Sequence, residues 1–483
     1  PGVRSGADES WLAAGIAAGV ESVCLFGDAV GTPQQVRSTV DALRRIDPGL
    51  LVALDEEGGE VTRVEAERGS SLLSALGLGV VDDVEVTRAQ GRLLGRMLSA
   101  VGVDWTLAPV ADVNVDPRNP VIGVRSFGPR AESVGAHVRA MVEGVQACGV
   151  ITSPKHFPGH GDTHVDSHED LPTLAVDVET LDRRELVPFR SAIAAGCSTV
   201  MTGHLFVPAL DRSAPASLSA PITTDLLRTR LGFDRVVVTD AVEMGAVAGP
   251  RGEHLADAVV AALVAGADVV CIGAADQERA LAVSAAAVLA AVRDGALDAG
   301  LLEAAARRRS RLGLGRTRAS AAGDAADIAA DIAADIAALA RAAASSMRVS
   351  GDATVASAAV DVLTIAAAPG YAAGPTGWRI APRLRAAGLA VRESEDPASV
   401  PAHGPLVVEV RDAWKRAELM SALLDVLRRR PDAVLLDVGW PTPVDLPVRG
   451  RICTHGTGSL AAAVATGLIT GRDPSAAAQV LLR

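Results

Sequence analysis

Aromatic residues are scarce in this sequence. The 483 residues include six Phe, five Trp and one Tyr, which together make up 2% of the chain. Proteins that bind insoluble polysaccharide generally use exposed aromatic rings, because a large flat apolar face packs well against a sugar ring. The shortage argues against a polysaccharide-binding surface and favours a small soluble ligand that is held by polar groups.

Long runs of one kind of residue are also missing. The formal net charge is -12 and no long basic run occurs, whereas phosphate binding needs clustered Lys and Arg. No charge-free apolar stretch has the length of a membrane span; residues 256–275 come nearest, and Asp257 and Asp268 interrupt them. Hydrophobic residues make up 49% of the chain. We therefore expect a globular protein with neither a nucleic-acid partner nor a membrane span.

The cysteines indicate no disulfide framework. They are odd in number, scattered, and without a Cys-x-x-Cys pair: Cys24, Cys148, Cys197, Cys271 and Cys453. This favours a reducing compartment, and we expect a cytoplasmic protein. The chain begins at Pro1, so a secreted form whose signal peptide has been removed stays open as the alternative. The sequence gives no indication of the oligomeric state.

Short β-branched runs alternate with helical segments through the first two-thirds of the chain. Strands are predicted at residues 22–26, 50–54, 105–110, 150–155, 199–202, 235–239 and 268–272, and helices include residues 85–101, 131–147 and 184–195. Strict alternation predicts parallel strands joined by right-handed crossovers. The fold class is therefore α/β, with residues 1–315 forming a (β/α)8 TIM-type barrel that lacks one visible strand. A doubly wound sheet is the alternative.

A repeated Ala-Ala-Asp-Ile unit follows the barrel, between residues 324 and 336. Its period of four places Ile328, Ile332 and Ile336 along one side of a helix, so residues 316–345 are predicted to form a linker helix. A second α/β pattern follows, with strands at 360–366, 389–392, 406–410 and 433–438 and a helix at 416–430. Residues 346–483 are therefore predicted to form a smaller three-layer α/β/α sandwich domain. His455 and its neighbouring glycines fit a turn that leads into a helix better than a ligand site.

The stretch from Lys155 to His168, KHFPGHGDTHVDSH, is the most informative part of the chain. It holds four of the nine histidines, two aspartates and a lysine. It follows a predicted buried strand and is broken up by proline and glycine, so it is a loop at a strand end, where catalytic residues are common. Its histidines recur every fourth residue, but Pro158 and Gly159 disfavour the helix that would align them. A metal-dependent barrel hydrolase is one alternative, because His and Asp at a barrel mouth can hold zinc.

Polar residues also follow the other predicted strands, always at the same end. They are Asp55-Glu56-Glu57, Asp112, Lys155-His156, His204 and Asp240. The C-terminal ends of barrel strands are where barrels build their active sites. This regularity supports the barrel and places the expected site at its C-terminal face.

Four sequence blocks carry a resemblance to a known family. They are residues 54–63 (LDEEGGEVTR), 119–127 (NPVIGVRSF), the loop 155–168, and 238–244 (VTDAVEM). On these blocks the chain resembles the two-domain bacterial β-N-acetylglucosaminidases of glycoside hydrolase family 3. The resemblance implies a barrel whose first strand precedes Ser22, and that strand is expected to be missing here. It also implies a retaining exo-glycosidase that releases terminal N-acetylglucosamine from small glycosides, muropeptides or chitooligosaccharides.

The resemblance assigns roles to individual residues. Asp240 matches the catalytic nucleophile, and His168, paired with Asp166, matches the acid/base. Substrate-binding positions are matched by Asp55, Arg63, Arg125, Lys155 and His156. No metal or cofactor is implied, and the expected partner is a small-molecule glycoside. A histidine with an ordinary pKa of about 6.5 suits a group that both gives and takes a proton near neutrality.

Several alternatives stay open. Glu56 stands where the family more often has Gln, Ala241 where it often has a second Asp, and His164 where it varies. Glu56 and His164 leave the fine specificity open. Some relatives with the same His–Asp pair are phosphorylases, because a neutral histidine lets an anionic acceptor approach. A β-glucosidase of the same family, the metal-dependent hydrolase and a non-catalytic sugar-binding barrel are further alternatives. Catalysis assisted by the substrate's acetamido group would leave the His168–Asp166 pair without a task.

Overall fold

The structure is a computed structural model. It describes residues 1–3, 10–17, 19–26, 30–164, 171–249, 252–273, 276–314, 325–367, 372–373 and 379–482. The earlier residues form parallel strands that alternate with helices, and the later ones form a separate six-stranded sheet with its own helices. The predicted fold class, a barrel followed by a smaller α/β domain, is confirmed.

Short apolar strands make up the barrel wall. They are β1 Gly2–Val3, β2 Ser22–Leu25, β3 Leu51–Leu54, β4 Trp105–Thr106, β5 Ile151–Thr152, β6 Thr199–Thr202 and β7 Val236–Thr239. Neighbours from β1 to β5 pair in parallel, and β6 pairs with β7. Phe157 bridges to Thr202 on β6, and Val269 bridges to Val238 on β7. Eight successive segments are therefore linked, and their C-terminal ends lie at one end of the barrel.

The expectation that the first strand is missing is wrong. Residues Gly2–Val3 lie parallel to β2, with Gly2 opposite Cys24 and Val3 opposite Leu25. The Val3 side chain is buried. A strand of two residues is too short to show a periodic pattern, so the sequence carries no signal for it.

Helices surround the barrel strands. They are α1 Ser10–Ala17, α2 Pro33–Ile46, α3 Ala75–Val81, α4 Val84–Ala100, α5 Ala131–Gln146, α6 Val178–Thr180, α7 Leu186–Ala194, α8 Gly245–Ala248, α9 Leu255–Ala265, α10 Gln277–Arg293 and α11 Ala299–Leu314, with π-helical turns at Leu181–Glu185 and Pro221–Arg230. Helices α4 and α5 approach closely at Gly144, where a Cβ would collide with the carbonyl oxygen of Arg88. Among the described helices, none combines the length and the apolar composition that a membrane-spanning segment requires.

The Ala-Ala-Asp-Ile repeat lies in helix α12, Ala325–Ser345, which packs on the barrel. Asp335 is buried and forms ion pairs with Arg92 and Arg96 of α4; Arg96 Nη1 lies 2.7 Å from Asp335 Oδ2. Asp331, one repeat unit earlier, is exposed. One repeat unit therefore fixes this helix to the barrel.

The second domain is built on a six-stranded sheet with the order β10-β9-β11-β12-β13-β8. The strands are β8 Arg348–Gly351, β9 Ala359–Ala366, β10 Ala390–Ser394, β11 Leu406–Arg411, β12 Val434–Asp437 and β13 Gly450–Cys453, and the helices are α13 Ile380–Ala386, α14 Ala417–Arg429, α15 Ser459–Thr470 and α16 Pro474–Leu482. Only β8 and β13 pair in antiparallel fashion among these strands. These two were not predicted, because neither four-residue segment has a clear apolar run.

Polar contacts join the second domain to the barrel loop after β3. Arg411 Nη2 lies 2.7 Å from Glu60 Oε2, and both side chains are largely buried. Ser74 Oγ donates to the carbonyl oxygen of His455 at 2.5 Å. The glycine-rich turn at His455 leads into α15, as predicted, and it also contacts the barrel.

Replacing Asp335 by alanine should lower the melting temperature, because Arg92 and Arg96 lose their shared carboxylate. Removing one partner of a buried hydrogen-bonded pair costs about 1–3 kcal/mol. Asp331→Ala is the matched control, since it makes the same change at an exposed position of the same helix. Thermal unfolding of both variants is the measurement. Equal melting temperatures would show that the packing of α12 does not depend on Asp335.

Candidate active site

Charged residues from three segments meet in a buried cluster at the C-terminal end of the barrel. Lys155 Nζ lies 2.6 Å from Asp55 Oδ1 and 2.8 Å from Glu57 Oε1. Arg125 donates two hydrogen bonds to Glu57, at 2.9 Å and 2.8 Å. The Asp55 side chain is 20% exposed, whereas the other three are 6% exposed or less. Glu57 thus joins two cations, and Asp55 presents the accessible carboxylate of this cluster.

The cluster keeps its charges near neutral pH. Burial would raise the pKa of Glu57, but Arg125 and Lys155 outweigh burial and hold this pKa well below its usual range. Burial would lower the pKa values of Arg125 and Lys155, and the neighbouring carboxylates raise them instead. Glu57, Arg125 and Lys155 therefore keep their charges near neutrality.

Asp112, which is fully buried, fixes the start of the loop after β5. One carboxylate oxygen accepts hydrogen bonds from the backbone N–H groups of His156, at 3.1 Å, and His160, at 2.7 Å. The other oxygen lies 2.8 Å from Nδ1 of His156. We assign the ring proton to this nitrogen, because a carboxylate can only accept. Burial lowers the pKa of His160 to about 4, so that ring stays neutral.

Asp240 stands directly after β7. Its backbone N–H donates to the carbonyl oxygen of Thr202 at 2.9 Å, and its Oδ1 accepts from Ala241 N at 2.8 Å. Burial raises the pKa of the Cys271 thiol, and the charges of Glu243, Asp240 and Asp55 raise it further. Asp55 follows β3 as directly as Asp240 follows β7, so both carboxylates stand at the same end of the barrel.

Arg63 and Glu56 lie in the loop after β3 but have other partners. Among the described residues, the Arg63 guanidinium donates to the carbonyl oxygens of Ala372, at 2.7 Å, and Ala373, at 3.3 Å, in the second domain. Glu56 is fully buried and accepts from the backbone N–H groups of Arg63 and Val64. Burial raises the pKa of Glu56 to about 7. Glu56 supports its own loop, and Arg63 links that loop to the second domain.

The residues singled out in the sequence are brought together in part. Asp55, Arg125 and Lys155 share one cluster, and Asp112, which holds His156, lies close enough to Arg125 to help raise its pKa. Asp166 and His168 lie outside the described residues. The catalytic and binding roles of all these residues stay predictions.

Sequence reasoning gave no role to Glu57, Asp112 or His204, although all three stand at strand ends. His204 Nδ1 lies 2.7 Å from Ser217 Oγ, and its Nε2 lies 2.9 Å from the carbonyl oxygen of Ala241. This histidine therefore fixes the residue that follows Asp240. Position after a predicted strand had marked all three, but nothing in the sequence showed which partners they would bind.

The part of the chain that the structure describes offers no ready metal centre. No group of three or more His, Cys, Asp or Glu side chains there has an arrangement that could hold a metal ion. The clustered charges already described are paired with one another instead.

One protein-family model matches the barrel part of the chain. The model described as the N-terminal domain of glycosyl hydrolase family 3 matches residues 11–312, more than half of the chain. The chain belongs to glycosyl hydrolase family 3. The resemblance drawn from the four sequence blocks is thereby confirmed, and the matched region covers all the barrel residues of the site.

Relatives in this family match either about half of the chain or nearly all of it. Beta-hexosaminidase A of Pseudoalteromonas piscicida is 35% identical over 278 residues, 53% of this chain and 46% of that protein. A beta-hexosaminidase of Xylella fastidiosa is 38% identical over 260 residues, 52% of this chain and 76% of that protein. A solved family 3 beta-N-acetylglucosaminidase from Paenibacillus sp. has a TM-score of 0.83 at 29% identity, covering 97% of this chain and 95% of that chain. The chain thus spans less than half of the first relative and nearly all of the solved one.

Glu57→Gln should destabilise the protein strongly, because two buried cations lose the carboxylate that they share. Breaking a buried ion pair by removing one partner costs about 3–5 kcal/mol. The pKa of Glu57 is depressed in the folded state, so its contribution is complete above its unfolded pKa of about 4.5 and is lost only in stronger acid. The drop in melting temperature should therefore stay constant from about pH 8 to about pH 5. Glu303→Gln, in an exposed ion pair with Arg307, is the control; equal melting temperatures for the two variants would contradict the prediction.

Proposed function

We propose that this chain is a retaining exo-β-N-acetylglucosaminidase that acts on small soluble glycosides. The observation that carries the proposal is the cluster of Asp55, Lys155 and Arg125 at the barrel end where Asp240 stands. Fixed charges of both signs can bind the hydroxyl and acetamido groups of one sugar, since a carboxylate accepts from hydroxyls and cations donate to oxygens. The names of the beta-hexosaminidases and of the beta-N-acetylglucosaminidase reported above support this substrate class.

In the proposed reaction Asp240 is the nucleophile. Its carboxylate attacks the anomeric carbon, a carbon–oxygen bond forms to the sugar, and the bond to the leaving oxygen breaks. His168, oriented by Asp166, gives its proton to that oxygen and later takes one from the water that releases the sugar. Two displacements at the same carbon retain the β configuration.

Sugar recognition is assigned to the charged cluster. Asp55 accepts hydrogen bonds from sugar hydroxyls, and Lys155 and Arg125 donate to ring substituents. His156, whose Nδ1 proton is directed at Asp112, offers its other ring nitrogen as an acceptor. Arg63 reaches the sugar only if binding draws it from the carbonyl oxygens that it contacts.

The function is tested by turnover of 4-nitrophenyl N-acetyl-β-glucosaminide with and without inorganic phosphate, with the sugar product identified. We expect free N-acetylglucosamine in both conditions, released first as the β anomer. Formation of a sugar 1-phosphate would make the enzyme a phosphorylase. Equal turnover of the plain glucoside would make it a β-glucosidase, and loss of activity after chelation would point to a metal.

We expect a 5-fluoro N-acetylglucosaminyl donor to label a single peptide that contains Asp240, because fluorine slows release of the sugar from the nucleophile. Mass spectrometry of a proteolytic digest is the measurement. Asp240→Ala is the matched control and should remain unlabelled under the same conditions. Label on another carboxylate in the wild type would remove Asp240 from the nucleophile role.

A further inference from the structure

Residues 178–194 form one helical segment, here called the backing helix, beside the loop after β5. It consists of α6, the π-helical turn Leu181–Glu185 and α7. The ring of Phe157, in the loop, packs edge-on against Phe189 with their centres 5.1 Å apart. Asp162, five residues further along the loop, lies 2.6 Å from Arg184 Nη2. The loop is therefore attached to the backing helix at two points.

Between these two points the loop backbone touches Glu185. A Cβ on Gly159 would lie 2.8 Å from Glu185 Oε2 and 2.9 Å from Glu185 Cβ, and the φ of Gly159 is +132°. Only glycine has both the space and the backbone freedom for this position. Arg184 Nε lies 2.6 Å from Glu185 Oε1, so Arg184 also links Glu185 to Asp162.

Glu185 is a buried carboxylate with an unpaired oxygen, a feature that it shares with Glu56 in the loop after β3. Its side chain is 0% exposed, and among the described residues its Oε2 has no hydrogen-bond partner. A buried carboxylate oxygen without a partner costs free energy, so a fold that keeps one calls for an explanation. Packing alone gives none, because an apolar side chain could fill the space beside Gly159 without burying an unpaired oxygen.

We propose that Glu185 is a positioning residue: together with Arg184 it holds the loop from His156 to Asp162, and with it the sugar-binding His156, in the working position. This inference rests on the proposed glycosidase function. Asp112 holds the same loop through the backbone of His156 and His160. Two buried carboxylates therefore fix one short loop, and of these two it is Glu185 that has an oxygen without a partner among the described residues.

The state of Glu185 changes near neutrality. Burial raises its pKa to about 7; Arg184 on its own helix opposes this, whereas Asp112 after β4 and Asp162 in the loop reinforce it. Below that pH the side chain is neutral and packs under Gly159. Above it, a negative charge lies near the carboxylates of Asp112 and Asp162, which together with burial oppose it more than Arg184 offsets, so we expect the loop contact to weaken. Because the folded pKa exceeds the unfolded one, stability is lost as pH rises from about 4.5 through about 7.

The test compares Glu185→Ala and Glu185→Gln with Glu179→Gln, an exposed residue of the same backing helix that pairs with Arg183. Two readouts are taken from about pH 5.5 to about pH 8.5. They are kcat and KM for 4-nitrophenyl N-acetyl-β-glucosaminide, and hydrogen exchange of loop peptides that cover residues 156–164. Exchange of each variant is compared with wild type at the same pH, so the intrinsic pH effect cancels.

We expect Glu185→Ala to lower kcat/KM about 10–100-fold, mainly through KM, and to speed exchange in the loop. Glu185→Gln imitates the protonated side chain, so it should match wild type at low pH and lose less activity as the pH rises. Glu179→Gln should follow wild type throughout.

Equal activity and equal loop exchange for Glu185→Ala and Glu179→Gln would overturn the inference, and so would a Glu185→Gln profile that falls with pH as the wild-type profile does. Absence of turnover in the wild type would refute the proposed function instead. In that case the hydrogen-exchange comparison still decides whether Glu185 holds the loop.

Discussion

A single carboxylate shared by two buried cations holds the barrel mouth together. Glu57 belongs to the loop after β3, Lys155 follows β5, and Arg125 ends a 3₁₀ turn between them, so one side chain joins three separate segments. Each charge would be costly to bury alone and is tolerated only because the others accompany it. The three segments therefore assemble as a unit, and Asp55, two residues before Glu57, is placed by that assembly.

The second domain contacts this unit through the loop after β3, which carries Glu57. Glu60 is paired with Arg411 of the second domain, and Arg63 donates to backbone oxygens of the same domain. Glu60 and Arg63 follow Glu57 in the chain by three and six residues. Lys415 Nζ also donates to the carbonyl oxygen of Asn119, near the turn that carries Arg125. The second domain therefore contacts both the loop after β3, which carries Glu57, and the segment that leads to Arg125. A change in how the second domain packs should therefore affect the surroundings of Glu57.

Strand ends could be read from the sequence, whereas pairings across the fold could not. Asp55 and Asp240 were placed correctly at one barrel end, because parallel strands bring their C-terminal ends together whatever the loops contain. Glu57 pairs with Arg125, which lies 68 residues away in the chain. No local feature of the sequence identifies this pair among 58 acidic and 46 basic residues. Glu185 escaped notice for the same reason, since its neighbour Gly159 is brought to it only by tertiary structure. Strand β1 was missed for a different reason, because two residues are too few to show the alternating pattern of a strand.

Helix α12 matches itself along much of its length after a shift of four residues, yet Arg92 and Arg96 bind Asp335 and leave Asp331 exposed. Four residues advance a helix by about 6 Å. Gain or loss of one Ala-Ala-Asp-Ile unit before Asp335 leaves the sequence from Asp335 onward unchanged, so we expect the same carboxylate to reach Arg92 and Arg96. The number of repeat units before Asp335 is therefore a length that we expect this helix to tolerate changing.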